Sequence, residues 1–254
     1  MKTSERHHLK DNELALALTH AGEWAGQNQR SITLVVGGIA VLAVAIGGYF
    51  VWRNSVDSSA RTMLAEALVV SEARVMPPQP PITPVTSGNT TPPAPAAAVQ
   101  PPGTYPTEQA KLEAALPKLL AAADAYPRTD PGRTARYQAA ATLVELKRFD
   151  DAITQYDRVA ADGSGLLAQT AQLGKAAAQL RAGRYDAAIA SFKQLSDRTD
   201  LNVPKEAMLL ELARAYRLSG KNEDAKKTLT QIVEQHADSP FVTEAKQELE
   251  KPQG

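Results

Sequence analysis

Three stretches of the chain, LKRFDDAITQYDRV at 146–159, RAGRYDAAIASFKQL at 181–195 and LSGKNEDAKKTLTQI at 218–232, align with Ala152, Ala188 and Ala225 in register. Spacings of 36 and 37 residues restrict the fold to stacked supersecondary units, because one such unit cannot bury its apolar face alone. Ala140, Ala176 and Ala213 recur twelve residues before those alanines. Small side chains at both places let two antiparallel helices approach closely, so each unit reads as a helix, a turn and a helix. Tyr156, Phe192 and Leu229 follow the second alanine by four residues and share its helix face. From Pro106 almost to the end the sequence is rich in Ala, Leu, Gln, Lys, Arg and Glu, with few β-branched runs, which predicts an all-α fold. An irregular Ala-rich helical bundle is the alternative.

A second constraint lies upstream. Residues 32–52, ITLVVGGIAVLAVAIGGYFVW, carry neither charge nor Pro and are flanked by Arg30 and Arg53. A helix of that length reaches about 31 Å, enough to cross the hydrocarbon of a bilayer, with Tyr49 and Trp52 suited to the headgroup level at one end. A cleaved signal peptide is the competing reading, but the apolar run is too long and the polar lead of 1–31 unusual for one. Lys2, Arg6, Lys10 and Arg30 before the span, against Arg53, Arg61 and Arg74 after it, favour a cytoplasmic N-terminus by one charge. Ala40, Ala43 and Gly47 place small residues on one face of the span, where another helix packs most easily. In the tail, Asp11 is positioned to cap a short amphipathic helix carrying Leu14, Leu18, Ala21 and Ala25.

Between span and repeats the composition changes sharply. Eleven of the 17 Pro fall between Pro77 and Pro106, and 75–107 holds no charge. That stretch predicts an uncharged, polyproline-like insert. Residues 53–74 before it and 108–125 after it read as the two helices of one split repeat, since long insertions at a helix-helix turn add little closure entropy. Tyr126-Pro127 and the turn TDPGR then lead into a helix starting near Thr134. The domain plan is therefore 1–31 tail, 32–52 span, 53–74 first helix, 75–107 insert, 108–250 repeats and 251–254 tail.

The 254 residues carry 28 basic and 28 acidic side chains and no Cys. A charge balance of zero argues against nucleic-acid binding, and the missing Cys removes disulfides, thiolate metal sites and a Cys nucleophile. His7, His8, His20 and His236 lack the spacing of a metal site. No phosphate-binding, dinucleotide, zinc-protease or serine-hydrolase motif occurs; DGSG at 162–165 falls where the repeat needs a loop. Asp130 and the pair Asp150-Asp151 lie near helix starts and read as caps and dipole partners. The chain reads as a binding protein without catalysis, cofactor or metal.

Gly183, Tyr185 and Ala188, with weaker versions at Phe149 and Ala152 and at Gly220 and Ala225, resemble the turn signature of the tetratricopeptide repeat family. The resemblance covers about 108–250. It implies that the single span read at 32–52 is followed by a helical-repeat solenoid of three and a half to four helix pairs. The segment DNELALALTHAGEWAGQNQR before the span, and the Ala-Tyr-Pro turn followed by RTARYQAAATLVELKRFDDAI, resemble the ancillary subunit family of the SecYEG translocon, related in its repeats to cell division coordinator proteins. That likeness implies a bacterial inner-membrane protein with periplasmic repeats and protein partners: translocon subunits, secreted clients or periplasmic chaperones. The Pro-rich insert departs from it.

In a stack of this family the first helices line a groove, which implies a binding face of Tyr137, Ala141, Val144, Leu173, Ala177, Leu180, Leu210, Arg214 and Arg217. Such a face is apolar at one end and basic at the other. It lacks the Lys and Asn of the family's carboxylate clamp, having Tyr137, Ala141, Leu173 and Ala177 instead. A scaffold for envelope or secreted proteins is the leading reading; a homo-oligomeric envelope assembly factor and an accessory subunit of a membrane enzyme are the others. Single cysteines introduced as Ser4→Cys and Ser239→Cys test the topology. An impermeant maleimide added outside spheroplasts is expected to label position 239 and not 4, and the reverse pattern would discard a periplasmic location.

Overall fold

The computed structural model describes residues 29–78, 100–161, 165–200 and 202–251. The tail helix predicted from Asp11, His7, His8 and His20, and the centre of the Pro-rich insert lie outside them. The chain divides into two units, 1–56 and 57–254. In the first, helix α1 (Gln29–Ser71) begins. Its side chains Leu34, Ile39, Leu42, Val44, Phe50 and Trp52 are all exposed, so the helix is apolar around its circumference. It is long and apolar enough to cross a membrane by length and composition. Tyr49 packs edge-on against Phe50 and tilted against Trp52, both at 6.1 Å between ring centroids.

The second unit opens with the last four turns of α1, in which Ala60 and Ala67 are buried. Leu64, Ala67 and Val70 join the core formed with Leu116 and Leu119 of helix α2 (Glu108–Ala125). Seven residues separate the two alanines, two helical turns, so they face the same way. The ends of the insert are pinned together: strands β1 (Arg74–Val75) and β2 (Thr104–Tyr105) pair in parallel. Outside the ladder, Met76 N–H donates to the Tyr105 carbonyl, and Gln100 Nε2 donates to the Met76 carbonyl at 3.1 Å and the Thr104 hydroxyl at 2.6 Å.

Six further helices form three antiparallel pairs: α3 (Asp130–Glu145) with α4 (Phe149–Ala161), α5 (Leu166–Arg181) with α6 (Tyr185–Ser196), and α7 (Lys205–Leu218) with α8 (Asn222–Gln235). Helix α9 (Val242–Glu250) closes the stack. The repeated alanines 140, 152, 176, 188, 213 and 225 are all in the core, as are Tyr156, Phe192 and Leu229. From α2 onward each helix packs on the next in order, and α3 also meets α5, so the pairs stack as a solenoid. Helix α3 begins four residues before the expected Thr134. The Thr129 hydroxyl accepts from Gly132 N–H at 3.1 Å, and Pro131 sits in the first turn, where its missing N–H costs nothing. Asp130, Asp150 and Asp151 occupy first turns, favourable to the helix dipole, rather than cap positions.

The turn inside each pair is the same device three times. Arg148, Arg184 and Lys221 N–H groups reach back to the carbonyls of Leu143, Gln179 and Tyr216 at 2.8–2.9 Å. The residue before each is left-handed: Lys147 at φ 60°, Gly183 at 73° and Gly220 at 77°. This is the six-to-one closure of a helix end that favours glycine. Around Gly183 and Gly220 an added Cβ meets nothing within 4 Å, so only backbone conformation selects glycine there. Lys147 bears the penalty a side chain incurs in that region, roughly 1 kcal/mol. Lys147→Gly is expected to raise unfolding stability by about 0.5–1 kcal/mol, and Gly183→Ala or Gly220→Ala to lower it by about 1 kcal/mol, measured by urea titration.

Candidate functional site

The first helices of the pairs, α3, α5 and α7, carry every residue of the expected groove. Tyr137, Ala141 and Val144 are half-buried at successive turns of α3, and Leu173, Ala177 and Leu180 lie along α5 with the first two half-buried and Leu180 packed at the edge of the core. Tyr137 and Val144 pack on the core of the first pair and Leu173 and Leu180 on that of the last. Leu210 differs: it is 3% exposed and belongs to the core under α7.

Tyr137 is held by its neighbour in the second helix. Its ring meets that of Tyr156 at 5.6 Å and 65°, an edge-on contact worth about 0.5–1.5 kcal/mol. Tyr156 lies under Gly174 of α5, where a Cβ would stand 2.6 Å from the ring. A side chain at 174 would thus expel the ring that positions Tyr137. Burial, and then the nearby Tyr137, push the Tyr156 hydroxyl up to about 12, with a smaller rise from Glu145 and an opposing effect of Arg181. The phenol therefore stays neutral throughout the physiological range.

The basic end is not free. Arg214 bonds Glu211 of its own helix and Glu244 of α9, while Arg217 pairs with Glu248 of α9. Both arginine side chains are about two-thirds covered, and Glu248 is 7% exposed. Phe241, Val242 and Leu249 pack beside them on the α7–α8 core. Helix α9 therefore lies where the arginines would otherwise meet solvent, and the charge they carry is neutralised within the chain. At the other end, Glu145 of α3 and Arg181 of α5 approach to 3.7 Å across the same face. Those two residues are one repeat period apart in sequence, a signal that opposite charges at equivalent positions will meet between neighbouring units; Glu244 and Glu248 have no such spacing to give them away.

A second line of ion pairs follows the turns. Arg184 reaches Asp150 at 2.6 Å and Lys221 reaches Asp186 at 2.7 Å, each linking a turn to the preceding unit. These are exposed and contribute little stability. Among the described residues no group of three or more His, Asp and Glu is placed to hold a metal ion. His236 is engaged instead with Glu206, Nδ1 to Oε1 at 2.8 Å.

The family model of the tetratricopeptide repeat matches residues 179–249, from the last turn of α5 through α9. No curated protein matches the chain. Among solved structures, a crystal structure of nearly identical tetratricopeptide-like repeats of a Podosopora anserina kinesin light chain is similar: it superposes with a TM-score of 0.43 at 18% identity, covering 51% of this chain and 70% of that one. The fold is an all-α, tetratricopeptide-like solenoid preceded by one long apolar helix, and repeats of this kind serve protein-protein interaction.

Burial alone would raise the Glu248 carboxyl; contacts with Lys251 and Arg217 outweigh it and hold the group below its usual 4.5. A lowered folded value means that the stabilisation is present above the unfolded pKa and lost as pH falls through the folded one. Glu248→Gln is expected to cost about 1–3 kcal/mol at pH 7 and to flatten the decline in stability below pH 4.5, followed by urea unfolding of the detergent-solubilised chain.

Proposed function

We propose that the chain is a membrane-anchored scaffold that holds protein partners on the outward face of α3 and α5, with α1 as its single span. The observation that carries this reading is the run of small and apolar side chains, Tyr137, Ala141, Val144, Leu173, Ala177 and Leu180, on the first helices of adjacent units. Ala141 and Ala177 leave room for a ligand backbone or a bulky partner side chain between the larger residues. Leu210 supports the floor from within the core, and Arg214 and Arg217 form a rim tied to α9 rather than a cationic socket. An apolar extended or helical segment suits such a face better than an acidic chain end.

The translocon neighbourhood, and with it secreted clients in the bacterial periplasm, rests on the likeness of layout: the polar lead, the span and the Ala-Tyr-Pro turn before the repeats. Co-purification in mild detergent distinguishes it, translocon subunits being the expected companions.

Partner binding through this face predicts strong photo-crosslinking in native membranes from probes at Tyr137 and Leu173 and weak crosslinking from Lys193 and Lys227 on the second helices α6 and α8. Ala177→Glu, which places an unpaired charge in the middle of the face, is expected to weaken partner capture at least tenfold, about 1.4 kcal/mol, while leaving the helical content unchanged. Equal adducts from the second-helix positions, with full capture by Ala177→Glu, would move the site to α1 or the tail.

A further inference from the structure

One residue of the second helices reaches the proposed face from beneath it. Tyr156 belongs to α4, yet its ring stands edge-on to Tyr137 of α3 and its hydroxyl end lies against Gly174 of α5. A Cβ at 174 would come within 2.6 Å of the ring atoms Cε1 and Cζ and 3.0 Å of the hydroxyl oxygen, so glycine opens the notch that the phenol fills. The positions equivalent to 174 in the other units are Gln138 and Glu211, and those equivalent to 156 are Phe192 and Leu229. Notch and phenol therefore occur together at the seam between α3 and α5 and not at the next one.

Tyr156 is 4% exposed and Tyr137 half-buried, and neither hydroxyl has a hydrogen-bond partner among the described residues. The Tyr156 oxygen is unpaired without being sealed from solvent. A phenol so placed has given up most of its water and gained no acceptor in return. Burial holds it neutral, so it stays a donor. Tyr137, Arg181 and Glu145 are the groups that act on it electrostatically, and all three lie on the face or its rim. Glu145 and Arg181 stand 3.7 Å apart, too far for a direct hydrogen bond, and both side chains are more than half exposed. The middle of the face is thus apolar and without net charge, with donors and an acceptor in reserve around it.

Taking that face as the partner-binding surface proposed above, we infer that Tyr156, with Tyr137, reads the backbone of an extended apolar peptide, its hydroxyl donating to a peptide carbonyl while Arg181 and Glu145 supply a further donor and acceptor. In an extended strand every backbone carbonyl and N–H is free to pair outward. In the middle of a helix the same groups are used within the helix. An apolar helix laid here would cover both phenols and leave them without acceptors, so the unpaired hydroxyls select against helical partners as well as for extended ones. Tyr156 is on this account a specificity-determining residue, and Gly174 the residue that positions it.

A library of random, uncharged linear dodecapeptides, displayed on phage and panned on the full chain in nanodiscs, tests both levels. Clones that the chain retains and Ala177→Glu loses are expected, with sequences that tolerate Pro at their centre. In titrations of the selected peptides, Tyr156→Phe is expected to weaken binding about three- to tenfold. Its stability in urea is expected to equal that of the unaltered chain, because the hydroxyl bonds nothing in the free protein. Replacing peptide amides by esters one at a time is expected to weaken binding at one carbonyl, and to have no added effect at that carbonyl on Tyr156→Phe, as two groups in direct contact require. Failure to select any clone that depends on Ala177 would sink the binding face and the backbone reading together. Clones that depend on Ala177 but bind Tyr156→Phe as well as the unaltered chain, or that turn helical on binding, would leave the face standing and overturn the role of Tyr156.

Discussion

The structure rests on the closeness of two helices at one residue. Wherever a first helix crosses a second, an alanine stands on each side, and all six alanines of the three pairs are buried to 4% exposure or less. A methyl group on each side permits helix axes to approach toward the lower end of the usual range of about 8–10 Å, and the larger side chains Tyr156, Phe192 and Leu229 are buried in the same cores. Each pair is then thin enough for the next to stack upon it. Ala245 extends the pattern into α9 and Ala67 into the end of α1.

Turn geometry and the alanine crossings depend on each other. A left-handed residue just ahead of each second helix reverses the chain over so few residues that the two helices have no freedom to slide, and register at the crossing follows. Glycine supplies this conformation twice and Lys147 once. The strained lysine persists because the hydrogen bond from Arg148 N–H to the Leu143 carbonyl and the packing of Leu143 and Ala152 determine the turn from both sides. A penalty near 1 kcal/mol is small against the apolar burial of a complete helix pair. The same turn places Leu146 and Arg148 beside Leu116, Pro117 and Leu120 of α2, so the local backbone device also lines a cleft there.

Much of this architecture was legible because repetition exposes it. Positions that must be small or large recur at 36 or 37 residues, and comparison of the chain with itself separates them from chance. What repeats only partly was harder to read. Thr129 and Pro131 resemble a turn until the cap hydrogen bond assigns them to the start of α3. Gly174 has no counterpart in the other units, and its role appears only when the Tyr156 ring is seen against it. The pairing of β1 with β2 joins residues thirty positions apart through backbone groups alone, which no side-chain pattern reports.

The arginines show why charge is the least legible quantity of all. Read along α7, Arg214 and Arg217 form a basic stripe one turn apart. Their partners Glu244 and Glu248 are also one turn apart, on a helix reached after an irregular connection, and complementarity arises only once α9 is packed against α7. Net charge at a surface is a sum over whatever the fold brings within a few ångströms, and sequence proximity covers only part of that sum. For the proposed binding face the consequence is specific. With Glu145 tied to Arg181 at one end and both arginines tied to α9 at the other, long-range attraction contributes little to capture, and selection falls to shape: the depth left over Ala141 and Ala177 between Tyr137, Leu173 and Leu180. A face of that kind discriminates by which side chains fit, and its association rate should depend only weakly on ionic strength.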